Sequence, residues 1–316
     1  MRFEIIKKGE GKYAAVILRD NINKCEAEIF CFGGLLNSFS FLRNDDYINI
    51  IDGFTSPQDA ETCITNGFKS SKLSPFVCRL SKGKYVFDGA EYLTNKFFLG
   101  DEAIHGLIYD ASFTIKHSNA DDTQASVVLV FDYNNKVGGF PFEYNIEITY
   151  ALKGNNTLSL ETIVTNNGNK AMPLNDGWHP YFKIGNTVND LLFKMNASKM
   201  IEFNDKLIPT GKIVDYNNFS DAKKIGETFL DNCFVLHSNN LPCCTLTNQQ
   251  LGVQLIINAD ESYPYLQVYT PPHRKSIAIE NLSSPPDSFN NKIDLIILNP
   301  DESKKFKTTY TIQFTA

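Results

Sequence analysis

The chain has little that would tie it to a metal, a membrane or a nucleic acid. Its 316 residues include one Trp, four Met, five His and seven Cys. The cysteines, at 25, 31, 63, 78, 233, 243 and 244, are odd in number and lack the C-x-x-C spacing of a zinc or redox motif. They read as free thiols, with no metal or redox cofactor expected. No apolar run approaches the ~18–20 residues needed to span a bilayer, and the mixed charges of residues 1–8 do not make a secretory leader. The expected compartment is the cytoplasm. Basic excess is missing too. With 30 Lys and Arg against 36 Asp and Glu, the net charge is −6, which opposes a nucleic-acid or anionic-membrane partner and suits a neutral small ligand. Also absent are a Pro/Gly/Ser linker, a fixed-period repeat and any long stretch with the ~3.6-residue period of a helix.

What the sequence does have is a period of two. Phe142, Tyr144, Ile146, Ile148 and Tyr150 alternate with Glu143, Asn145, Glu147 and Thr149, the pattern of a long half-buried antiparallel strand. Leu158, Leu160, Thr162 and Val164 repeat it before the Asn166-Asn167-Gly168 turn, where Asn and Gly tolerate a tight hairpin. Residues 13–19, 26–32, 127–132, 252–258, 265–270, 276–280 and 309–315 read likewise. One helix is expected near 57–65, because Ser56-Pro57-Gln58-Asp59 supplies a cap, a Pro at the first helical position and an acid in the first turn. Many strands with almost no helix predict an all-β protein: one large antiparallel β-sandwich domain spanning residues 1–316.

Three places could carry chemistry. In Asn175-Asp176-Gly177-Trp178-His179-Pro180-Tyr181-Phe182, Pro180 disfavours helical geometry at His179 and sets it in extended backbone among aromatics. In Ile104-His105-Gly106, the missing side chain of Gly106 allows close approach by a ligand or another backbone. In residues 276–280, Ile277 and Ile279 share one face and Ala278 and Glu280 the other, so Glu280 points away from the core at the end of a strand. The Pro-rich loop Asn281-Leu282-Ser283-Ser284-Pro285-Pro286-Asp287 follows it. His117, His237 and His273 have polar or loop neighbours and read as surface residues. Taken singly, a turn histidine and an exposed edge glutamate are the plainer readings of His105 and Glu280.

Together these stretches, in this order, resemble the aldose 1-epimerase (galactose mutarotase) family. The resemblance rests on Cys78-Arg79-Leu80, the loop with Asn95, Ile104-His105-Gly106, Trp178-His179-Pro180-Tyr181-Phe182, Leu230-Asp231-Asn232, and Ile279-Glu280-Asn281 with its Pro286-Asp287-Ser288-Phe289-Asn290 tail. It departs from well-known members at Leu107, where they carry a second Gly, and at Trp178, where they carry Thr or Ser. The resemblance implies a galactose mutarotase-like supersandwich that interconverts the α and β anomers of an aldohexose, with Glu280 as base and His179 as acid. A protonated His179 held by a carboxylate would keep its charge near neutral pH. His105, Arg79, Asp231 and Asn95 would bind sugar hydroxyls, and Trp178, Tyr181 or Tyr265 would pack on the ring. No cofactor is implied, the partner is a small-molecule sugar, and a monomer or homodimer is expected. Two alternatives stay open: a hexose-6-phosphate mutarotase with an anion site built from Lys183, Arg274 or Lys275, and a non-catalytic carbohydrate-binding protein on the same fold. A glycoside hydrolase would need two carboxylates flanking the bond, and only Asp231 could partner Glu280.

Overall fold

In the computed structural model, which describes residues 1–134, 138–238 and 242–315, the alternating segments pair side by side into antiparallel sheets. The largest has nine strands in the order Thr114–Ala120, Gln124–Asn134, Glu143–Lys153, Thr157–Asn166, Ser303–Phe314, Val253–Ala259, Cys244–Asn248, Leu192–Met195 and Lys223–Lys224. Alternation works here as read. Tyr144, Ile146, Ile148 and Tyr150 are buried, whereas Glu143 is exposed and Asn145, Glu147 and Thr149 are only partly covered. A second sheet runs Pro209–Asp215, Ala197–Phe203, Asp231–Leu236, Tyr265–Tyr269, Ile277–Leu282, Gly177–His179 and Ser71–Leu73, with Tyr181–Phe182 also on Ile277–Leu282. A third takes five N-terminal strands in chain order, from Phe3–Lys8 to Asp46–Asn49.

One apolar core joins all three sheets. Val16 and Leu18 from the N-terminal sheet, Ile146 and Ile148 from the nine-stranded sheet, and Val268, Ile277 and Ile279 from the second sheet belong to the same buried cluster. Each such side chain contributes about 1.5–3 kcal/mol on burial, which fixes the second sheet with Ile277 and Ile279 inward. Period two then turns Glu280 and Leu282 to the opposite face, where a smaller cluster contains Leu73, Cys78, Cys233 and Leu282. The expected helix forms at Pro57–Cys63, two residues shorter than expected at its C-terminal end, with the Ser56 hydroxyl accepting from the Asp59 N–H at 3.1 Å. No helix among the described residues is long and apolar enough to cross a membrane.

Candidate active site

The floor of the site is the strand Ile277–Leu282, an interior strand rather than the rim position read from its sequence. It pairs with Tyr265–Tyr269 on one side and with Gly177–His179 and Tyr181–Phe182 on the other. Pro180 separates those last two short strands, and its carbonyl accepts from the Ile279 N–H at 3.3 Å, which holds the chain against the floor. His179 thereby comes to Glu280. His179 Nε2 lies 3.4 Å from Glu280 Oε1, with the two residues 4% and 2% exposed.

The second histidine sits on a tight turn. His105 (φ 62°) and Gly106 (φ 76°) are both left-handed, and a Cβ on Gly106 would stand 2.3 Å from the Ser74 carbonyl oxygen. The close approach read from Gly106 is therefore to another backbone. The His105 N–H donates to the Cys78 carbonyl and the Leu107 N–H to the Ser74 carbonyl, each at 2.8 Å. These bonds bring the His105 ring edge-on to His179, with centroids 4.8 Å apart. Arg79 lies opposite Ile104 in the adjoining strand pair. The Pro-Asp tail after Glu280 locks that strand in place: the Asp287 N–H donates to the Arg79 carbonyl, and Asp287 Oδ1 accepts from the Ser81 N–H, each at 2.8 Å.

These elements enclose a cavity of about 360 Å³, within the ~300–1,000 Å³ range of small-molecule sites. Of the residues singled out in the sequence, Arg79, His105, His179, Tyr181, Asp231 and Glu280 line it. Asn95, Trp178 and Tyr265 do not. Asn95 is exposed, with its amide beside Gly138. Trp178 points to the far side of its strand, where Lys72 Nζ lies 4.3 Å over its ring and the Tyr150 ring stands 5.9 Å away. The Tyr265 hydroxyl donates to Asp294 Oδ2 at 2.6 Å. Lys183, Arg274 and Lys275 also lie outside the lining. The Arg274 guanidinium is taken up by Asn189 Oδ1 at 2.7 Å and by the carbonyls of Thr228 and Gly226.

Burial dominates the electrostatics. It pulls His179 down to about 4 and His105 well below the ordinary imidazole value. It pushes Glu280 well above the usual carboxylate range, with the nearby Asp231 charge adding to the rise. Asp231 is raised as well, against the pull of Arg79 and of a hydrogen bond from Gln267. The expected charged His179 is thus disfavoured in the free site, burial being the largest influence on its imidazole. Burial thus disfavours the charged form of each group, leaning toward a neutral imidazole and a protonated carboxyl.

Both the sequence and the fold have known relatives. The sequence profile described as Aldose 1-epimerase matches residues 15–311. The chain belongs to the aldose 1-epimerase family. Among its relatives is the uncharacterized protein YihR of Escherichia coli strain K12, 30% identical over 233 residues, which cover 72% of this chain and 73% of that one. The fold recurs in a galactose mutarotase-like protein from Clostridium acetobutylicum (TM-score 0.86, 19% identity, 99% of both chains). It recurs also in galactose 1-epimerase from Lactobacillus acidophilus NCFM (TM-score 0.83, 19% identity, all of both chains).

Within this aldose 1-epimerase fold, the lining residues that went unnoticed in the sequence as site residues include Gln267, Tyr269 and the side chain of Cys78. Gln267 faces Glu280 across the ladder, donates from Nε2 to Asp231 Oδ1 at 2.9 Å, and leaves its buried Oε1 without a donor. A signal for it existed. In Tyr265-Leu266-Gln267-Val268-Tyr269, the apolar Leu266 and Val268 mark the core face, so a lone Gln between two Tyr must face the other way.

Proposed function

We propose that the protein is a mutarotase of unphosphorylated aldohexoses. The observation that carries this reading is the pair His179 Nε2 and Glu280 Oε1, 3.4 Å apart in the wall of one hexose-sized cavity. Mutarotation removes the proton of the C1 hydroxyl and delivers a proton to the ring oxygen. The C1–O5 bond breaks, an aldehyde forms at C1, rotation about C1–C2 exposes its other face, and reclosure reverses the transfers. Atoms and electrons balance without a redox partner. Glu280 as base and His179 as acid supply both transfers, each group contributing about 10²–10⁴-fold. Burial works against the charged form of each group in the free site, and sugar hydroxyls donating to the Glu280 carboxylate offset it.

Arg79, His105, Asp231, Gln267 and Tyr181 would hold the ring. Against the phosphorylated alternative, Lys183, Arg274 and Lys275 stand outside the cavity lining, and Arg79 is its one lysine or arginine among the described lining residues, with its charge acting on Asp231. A pure sugar binder has no need of an acid and a base in contact. Polarimetry on freshly dissolved α-glucose and α-galactose tests the reading against spontaneous mutarotation as background. Acceleration of either supports it. Binding without acceleration would favour the lectin-like alternative, and acceleration of a 6-phosphohexose alone would restore the phosphate branch.

A further inference from the structure

Glu280 has a second contact that the acid–base pair does not use. Its Oε1 is committed to His179, while Oε2 lies 3.9 Å from the Cys78 sulfur, within the reach of an S–H donor. Cys78 is no passive wall. Its backbone is left-handed (φ 47°), its carbonyl accepts from the His105 N–H at 2.8 Å, and its side chain, 7% exposed, lines the cavity. The next residue is Arg79. One residue therefore ties the His105 turn, the Arg79 strand and the Glu280 carboxyl together.

We propose that Cys78 is a positioning residue for Glu280, its thiol donating to Oε2 and fixing the carboxyl plane with Oε1 toward His179. This rests on the mutarotase reading for its kinetic meaning, though not for the contact itself. When Glu280 is protonated on Oε1, Oε2 is the carbonyl oxygen of a neutral acid and accepts from the thiol; when Glu280 is ionised, the same S–H faces a carboxylate and the bond strengthens. A thiol suits this place because it is a weak donor. It orients the carboxyl through both protonation states without pinning it as the anion, as two or three strong donors would. A carboxyl free to swing about its last torsion would present Oε1 to the sugar only part of the time, and misplacement of that size is costly in proton transfer.

The test combines kinetics with infrared spectroscopy on the full chain. C78A should lower kcat about fivefold with KM unchanged within about twofold, since the sugar's binding groups remain, and C78S should restore kcat. In parallel, the carboxyl C=O band of Glu280, identified by its loss in E280Q, should rise in frequency in C78A and fall below the wild-type position in C78S, whose hydroxyl is the stronger donor. C78A that keeps wild-type kcat, together with a band that stays put in both variants, would overturn the proposal. If C78A does not fold, the band shift in C78S alone decides the contact. Wild-type protein that accelerates no sugar would sink the mutarotase reading instead, and the infrared shifts would still confirm or refute the thiol contact.

Discussion

Gln267 stands opposite Glu280 across an antiparallel ladder, with one end of its amide bonded to Asp231 and the other buried without a donor. A buried carbonyl oxygen left unpaired costs about 1–3 kcal/mol, a cost a bound hydroxyl would remove. Gln267→Leu is therefore expected to lower kcat/KM about tenfold, mainly through KM. Saturation-transfer NMR of the two anomers measures it. Unchanged KM would mean that the oxygen meets no substrate group.

Glu280→Gln and His179→Asn keep shape while removing proton transfer, so each is expected to lower kcat by about 10²-fold or more. Because both act on one transition state, the double variant should lose less than the product of the single losses. Full multiplicativity, measured by polarimetry, would separate the two residues mechanistically.

Burial sets the pH dependence. His179 is depressed to about 4, so it gains a proton in the free site only near that pH, and kcat/KM should stay level from neutrality down to about pH 5. An acid limb centred near the ordinary imidazole value would contradict this. The same depression acts on stability. A group lowered in the folded state contributes fully above its unfolded value of 6.5, and the contribution disappears as pH falls through about 4. The difference is on the order of 3 kcal/mol. His179→Asn should accordingly lose less stability than wild type between pH 7 and pH 4 in urea titrations.

Behind His179, a fully buried ion pair joins Lys72 to Asp176, whose Oδ1 also accepts from the Tyr263 hydroxyl at 2.6 Å. Asp176→Leu strands the lysine and is expected to cost about 3–5 kcal/mol in urea unfolding. Adding Lys72→Met should recover much of that loss. A double variant no more stable than the single one would show that the pair fixes the strand in some further way.

The long strands were legible because nine alternating residues outvote any local ambiguity, as from Phe142 to Tyr150. The strands that carry the site are short. Gly177–His179, Arg79–Leu80 and Glu102–Ile104 offer two or three residues each, too few for a period, so their pairing comes from tertiary context. Even so, period two already bore on Trp178. A strand that turns His179 into a cavity turns its neighbour into the core behind. Lys72 was invisible for the opposite reason, since nothing local shows that a lysine will be sealed beneath Trp178 with an acid. Asn95 rested on resemblance alone, and its loop carries it to the surface.

The nine-stranded sheet has its interior filled from far along the chain. Ser303–Phe314 comes after every other member in sequence, yet it lies between Thr157–Asn166 and Val253–Ala259. Until it arrives, each of those strands presents an unpaired edge, and the two halves of the sheet have no shared backbone bonds through that position. Closure of this sheet during synthesis is thus held open until the segment has emerged from the ribosome, and it is a step of high contact order. A nascent chain stalled before Ser303 would expose two sticky edges at once, which makes this stage the one at which a chaperone has most to protect.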